Sequence, residues 1–128
     1  MTVCHPERLA SEQRLRNSRE YLAVQTGGTL FRGRCALLLV LPRPGETTRV
    51  GFVASKRGVG GAVQRNRARR RLREIVRRRF PRMPEDGYWM VLIAFRSVLE
   101  ADHQDLASDV EHLLASAGAL APLTPEVE

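Results

Sequence analysis

Aromatic residues are scarce in this chain, at 5% of 128 residues, with four Phe, two Tyr and one Trp, so any core must be built mainly from aliphatic side chains. Lysine is scarcer still: Lys56 is the one lysine among 21 basic residues, and the other twenty are arginine. No apolar run approaches the ~20 residues that a membrane helix requires. The longest runs, Cys35 to Leu41 and Tyr88 to Phe95, have the length of strands. The N-terminal stretch MTVCHPERLASEQ lacks the basic-then-apolar order of a signal peptide, so a cytoplasmic location is expected. Of the two cysteines, Cys4 lies in a polar stretch and Cys35 enters an apolar run, and a disulfide is not expected in a reducing compartment. Cys4, His5, His103 and His112 do not have the spacing of a tetrahedral site, so no metal ligands are expected from the protein.

Positive charge, by contrast, is abundant and concentrated. Residues Arg65 to Arg79, RNRARRRLREIVRRR, hold nine arginines and one glutamate, a local charge of +8 in a chain whose net charge is +7. The remainder is therefore close to neutral, and the chain presents one electrostatic footprint to a polyanion. Arginine suits bidentate phosphate contacts. A coding bias toward arginine would also explain the isolated residues Arg8, Arg14, Arg43, Arg49 and Arg82, so position carries more information than residue type.

The length fits one domain. Residues 1–17 lack apolar periodicity and read as a flexible tail, residues 18–118 as a single domain, and residues 119–128 as a frayed end. Ser18 is a candidate N-cap for a short helix carrying Tyr21, Leu22, Val24 and Gln25, stopped by Gly27 and Gly28. Such a helix must dock on something larger, because two turns are not stable alone. Phe31 to Leu41 reads as a strand ended by Pro42, Pro44 and Gly45, and Arg49 to Ser55 as its hairpin partner. Gly51 marks a bulge or a close approach.

The arginine segment has a helical period. Ala68, Leu72, Ile75 and Val76 recur at i, i+4, i+7 and i+8 and form a core stripe, while Asn66, Arg70, Arg73 and Arg77 centre nearly opposite it. Arg67, Arg71 and Arg78 flank the stripe, and Glu74 is spaced to pair with Arg78 or Arg70. Pro81 and Pro84 close the helix. Tyr88 to Phe95 reads as a central strand. A last helix is capped by Asp102, buries Leu106, Val110, Leu113, Leu114 and Ala117, and ends at Gly118.

Gly58, Gly60 and Gly61 lie between a strand and a helix, where phosphate loops occur, but Val63 stands where a dinucleotide fingerprint needs glycine and no Gly-Lys-Ser/Thr ending follows. No nucleophile lies near a base and an orienting group. Glu100, Asp102, Asp105, Asp109 and Glu111 read as a solvated helix face rather than a catalytic pair. The arginine helix lacks the larger apolar face and aromatic anchor of a membrane-surface helix, and lacks the heptad zipper that a DNA-binding basic helix carries. Nucleic-acid binding with strong salt dependence is the expected property.

RVGFVAS, Lys56-Arg57, GVGGAVQ and RNRARRRLRE, in that order, resemble the central signature of the bacterial ribonuclease P protein subunit. The similarity in the order of elements extends over roughly Ser18 to Gly118. The resemblance implies an α+β fold, an α/β sandwich with a mixed sheet in the order α-β-β-(β)-α-β-α and a left-handed crossover around the basic helix. It implies an accessory subunit of an endoribonuclease whose catalytic centre lies in a partner RNA. That RNA removes the 5′ leader of precursor tRNA with Mg²⁺, which the RNA and the substrate mainly hold. The partners so implied are ribonuclease P RNA and the precursor tRNA leader, with no membrane and no DNA.

By the same resemblance, Arg65, Asn66, Arg67, Arg70 and Arg73 face the partner RNA, with Arg69 at the edge. Asn66 offers both a donor and an acceptor and so a directed contact. Lys56 and Arg57 match the family's basic pair beside the leader path, and Arg96 matches a further basic position. Tyr21 matches the first aromatic of the leader cleft, whereas Gln25 stands where a second ring is often found, and Leu37 and Leu39 are expected on the cleft floor. Tyr21 reads equally well as a docking residue of its short helix. A standalone arginine-rich RNA-binding module without a part in cleavage is the alternative reading.

Overall fold

The computed structural model describes residues 13–84 and 86–119 and orders them as α1 (Ser18–Gly27), β1 (Thr29–Arg32), β2 (Ala36–Thr47), β3 (Arg49–Val53), α2 (Ala62–Arg79), β4 (Asp86–Ala94), α3 (Ser97–Glu100) and α4 (His103–Ser116). A 3₁₀ turn, Phe80–Arg82, follows α2 with Pro81 inside it. The strands form one mixed sheet in the order β1-β2-β4-β3, with β2 antiparallel to both β1 and β4, and β3 parallel to β4. The parallel pair requires a crossover, and α2 supplies it. This is the mixed α+β sandwich expected from the sequence.

Helices α2, α3 and α4 cover one face and α1 the other. Cys35, Leu38, Val40, Val50, Phe52, Met90 and Leu92 of the sheet side pack with the α2 and α4 stripes in the larger cluster. Leu15, Val24, Leu39, Trp89 and Val91 form the smaller cluster under α1. Docking on this second face is what stabilises so short a helix. Ala68, Leu72, Ile75 and Val76 are all fully buried. Burying Leu72, Ile75 and Val76 supplies about 5 to 9 kcal/mol in gross terms. Each like-charge pair along the helix costs about 0.2 to 0.5 kcal/mol, so the stripe outweighs the repulsion.

Four expectations change. First, Phe31 to Leu41 is two strands rather than one, because the chain reverses at Gly33 to Cys35. The Asp109 carboxylate of α4 accepts from the backbone N–H groups of Arg34 and Cys35, both at 2.9 Å, and so fastens that turn. A β-carbon at Gly33 would lie 2.8 Å from the same carboxylate. Second, β2 runs on through Pro42 and Pro44, because β1 ends at the Thr29–Val40 pair and leaves β2 a free edge that tolerates residues without an N–H. Third, β2 and β3 are not a hairpin: β4 lies between them, and burial of its apolar run on both faces places it centrally.

Fourth, order extends before Ser18. Leu15 donates its backbone N–H to the Val50 carbonyl at 3.2 Å and is 6% exposed, and Arg14 bridges Val50 in parallel fashion. The N-cap of α1 is accordingly Asn17, whose side chain accepts from Glu20 N–H at 3.0 Å. At the far end Ala119 is buried and bonded to the Leu114 carbonyl. Cys4 and His5 lie outside the described residues, as do positions 1–12 and 120–128. Among the described residues no helix is long and apolar enough to cross a membrane.

Candidate nucleic-acid interface

The arginines of α2 divide by their partners. Arg71 donates to the carbonyls of Val98, at 2.6 Å, and Ala101, at 2.9 Å, and thereby satisfies backbone groups of α3. Arg77 and Arg78 both pair with Glu74, the latter at 3.0 Å. Arg79, at 2.8 Å, and Arg82, at 3.3 Å, share the Glu111 carboxylate. Hydrogen bonding from Arg77 holds the Glu74 carboxyl below its ordinary range; burial opposes it, and hydrogen bonding from Arg78 adds to the lowering. Arg77, Arg78 and Arg79 at the C-terminal end of the helix are thus each engaged by a carboxylate, each carboxylate being shared by two guanidinium groups. Glu74 pairs with Arg78 as its spacing predicts, but with Arg77 rather than Arg70.

The N-terminal half differs. Among the described residues no carboxylate pairs with Arg65, Arg67, Arg69, Arg70 or Arg73. Asn66, Arg67 and Arg70 are exposed. Asn66 Oδ1 accepts from Arg69 at 2.5 Å, so part of its directed bonding goes to a neighbouring guanidinium. Arg73 is not opposite the core: it is half-buried, with its guanidinium 5.6 Å from the Phe52 ring. Burial, then the charges of Arg14 and Arg69, pushes the Arg73 guanidinium below the ordinary arginine range. Arg77 likewise lies against Glu74 instead of pointing outward.

The turn entering α2 adds further cations. Lys56 and Arg57 are exposed on a turn closed by Gly58 N–H donating to Ser55 Oγ at 2.8 Å. Arg96, at the end of β4, donates to the Val59 carbonyl at 3.0 Å and so braces that turn. Gly60 has φ +138°, a conformation L side chains rarely adopt, and this fits the tight-turn reading of the glycine stretch. The parallel register brings the ends of β3 and β4 together, which gathers Lys56, Arg57 and Arg96 near the start of α2.

The sheet face beneath α1 is organised in cross-strand rows. Leu30, Leu39, Val91 and Gly51 form one row, and Arg32, Leu37, Ile93 and Val53 the next. Leu39 is buried with Val24 under α1, so it belongs to the core rather than to an open floor. Leu37, Ile93 and Val53 are half-buried and form an apolar strip beside the helix. Gln25 is exposed on α1. Tyr21 is half-buried, and its ring rests on Gly51, where a β-carbon would lie 2.5 Å from the ring. Gly51 therefore marks a close approach and not a bulge.

Ile93 and Val53 escape sequence reading because an unbroken apolar run hides which members face outward. Arg14 is missed because Leu15 alone, between two arginines, sets no period. Among the described residues no cluster of three His, Cys, Asp or Glu side chains is positioned for a metal ion.

Taken together, the mixed sheet, the crossover helix and the arginines of its N-terminal half define an α/β domain with one strongly basic face. Its relatives share one identity. The ribonuclease P family matches residues 9–118. The ribonuclease P protein component of Chloroflexus aurantiacus is 44% identical over 114 residues, covering 88% of this chain and 83% of that protein. That of Symbiobacterium thermophilum is 41% identical over 108 residues, covering 84% and 92%. Among solved structures, the Staphylococcus aureus RNase P protein superimposes with a TM-score of 0.73 at 19% identity, covering 84% of this chain and 97% of that one. The Thermotoga maritima RNase P protein does so with 0.70 at 25% identity, covering 80% and 96%. This chain belongs to the ribonuclease P protein family, the protein components of an endoribonuclease.

Proposed function

We propose that this protein binds a ribonuclease P RNA and the 5′ leader of precursor tRNA, and assists Mg²⁺-dependent removal of the leader in the cytoplasm. The observation that carries the reading is the division of α2: Glu74 and Glu111 engage Arg77, Arg78 and Arg79, while Arg65, Arg67 and Arg70 have no carboxylate partner among the described residues. Phosphate oxygens supply the missing counter-charge. In this reading Arg65, Asn66, Arg67 and Arg70 contact the partner RNA, with Arg69 and Arg73 beside them. Lys56, Arg57 and Arg96 border the leader path, and the leader's unpaired nucleotides lie against Leu37, Ile93 and Val53 near Gln25. Leu39 supports this floor from within.

The basic face offers guanidinium groups, which do not ligate a hard cation, and its Asn66 amide oxygen already accepts from Arg69, so in this reading the catalytic Mg²⁺ falls to the RNA and the substrate. What the protein contributes is charge neutralisation and placement of the leader. The test is cleavage of a leader-bearing precursor tRNA by ribonuclease P RNA at low Mg²⁺, with and without the protein. Stimulation by the protein is expected. RNA binding without stimulation would instead indicate a standalone binding module.

A further inference from the structure

At the outer edge of β3, the N-terminal residues, α1 and α2 enclose a notch of about 340 Å³ whose lining includes Arg14, Tyr21, Phe52, Arg69 and Arg73 and no carboxylate. Three guanidinium groups from two remote segments meet there. Arg14 is brought by the N-terminal residues, which the Leu15–Val50 hydrogen bond and the buried Leu15 side chain tie to β3. Arg69 and Arg73 come from successive turns of α2, the first bonded to Asn66 and the second stacked on Phe52. Arg73 Nε is buried and has no hydrogen-bond partner.

Guanidinium groups stay charged in proteins, so three of them around one notch call for an anion rather than for loss of a proton. The notch is built to take an oxyanion and not a base, because the face of its one Phe is already covered by Arg73. Tyr21 adds a neutral donor. Its ring is located by Gly51, and among the described residues its hydroxyl makes no hydrogen bond.

We propose that the notch seats one phosphate group, gripped by Arg14, Arg69 and Arg73 and capped by the Tyr21 hydroxyl. Tyr21 then serves through its oxygen at the sheet edge, and Arg14 makes the N-terminal segment part of the binding surface. The chemistry fits a free phosphate or a backbone phosphate of bound RNA, and the second source rests on the proposed function.

Titration calorimetry of the full chain with inorganic phosphate, at constant ionic strength, tests the seat. Arg14→Gln and Tyr21→Phe should each weaken binding about tenfold, the effect of losing one charge-assisted hydrogen bond. Arg34→Gln, exposed at the β1–β2 turn outside the notch and outside the RNA-contacting residues, should change it by less than about twofold, as a remote charge does. Tyr21→Phe keeps the ring, and circular dichroism verifies its fold. Unchanged affinity in both notch variants, or an equal loss in Arg34→Gln, overturns the seat.

A second arm repeats the titration with a single-stranded oligoribonucleotide. Competition by phosphate, with the same loss in Tyr21→Phe, assigns the seat to backbone phosphate; loss for inorganic phosphate alone assigns it to free phosphate. Failure to stimulate cleavage while the seat persists would refute the proposed function and leave this inference standing.

Discussion

Replacing Arg67 and Arg70 with Gln should flatten the salt dependence of RNA binding, whereas replacing Arg78 and Arg79 should not, although both pairs remove the same formal charge. The difference follows from their partners. Arg78 and Arg79 are held on Glu74 and Glu111 and turned from a phosphate partner, whereas Arg67 and Arg70 are exposed with no carboxylate partner among the described residues. Each phosphate contact contributes about 0.7 to 0.9 to the slope of log affinity against log salt, so losing two flattens it by about 1.4 to 1.8. Between 50 and 200 mM salt the wild type should then lose about seven to twelve times more affinity than the Arg67/Arg70 variant. The Arg78/Arg79 variant should stay within about 0.3 of the wild-type slope, the residue of imperfect pairing. Filter binding or fluorescence anisotropy with ribonuclease P RNA at four salt concentrations reads the slopes, and circular dichroism verifies folding. Equal flattening by the two pairs would refute the division of the helix.

Three further outcomes are expected. Asp109→Ala removes both acceptors of the β1–β2 turn and should cost about 2 to 3 kcal/mol in urea denaturation, as two partly exposed charge-assisted bonds imply; an unchanged midpoint would mean that the turn holds itself. Glu74 has a folded-state pKa below its ordinary 4.5, so its contribution is present above that value and is lost as pH falls through the folded pKa. Glu74→Gln should therefore cost about 0.5 to 1 kcal/mol at pH 7, discounted for exposure, and converge with wild type once the pH has fallen below the folded pKa. Gly51→Ala should displace the Tyr21 ring at little cost in stability, because the clash is with the end of a movable side chain; the near-ultraviolet tyrosine signal should change while the melting midpoint hardly moves.

Both long helices were legible in the chain because their periods are local. Every member of the Ala68, Leu72, Ile75, Val76 stripe is buried, and Asp102 caps α4 by accepting from Gln104 N–H at 3.1 Å. Strand pairing was not legible. Whether Arg49 to Val53 joins Leu37 to Leu41 or Trp89 to Ile93 depends on contacts remote in sequence, and all three segments are apolar enough to be neighbours. The turn at Gly33 was hidden for a similar reason, since its fastening comes from Asp109, 75 positions beyond Arg34. At the interface, the basic residues were visible by type, but their partners were not. The same arginine character that marked the whole run concealed that Arg71 braces α3, that Arg78 and Arg79 are paired internally, and that Arg14 joins Arg73 across the edge of β3.

The position of β4 between β2 and β3 has a consequence for how the protein is made. Synthesis runs from the N-terminus, so both neighbours and the whole of α2 leave the ribosome before the strand that joins them. Until residues 86–94 emerge, β3 has no sheet partner among the four strands and the Leu72–Ile75 stripe lacks Met90 and Leu92 to pack against. The nascent chain therefore exposes its most basic helix, unseated, beside the RNA-rich surface of the ribosome. Completion of the sheet waits on the last strand, and long-range closure of this kind is slow compared with helix formation.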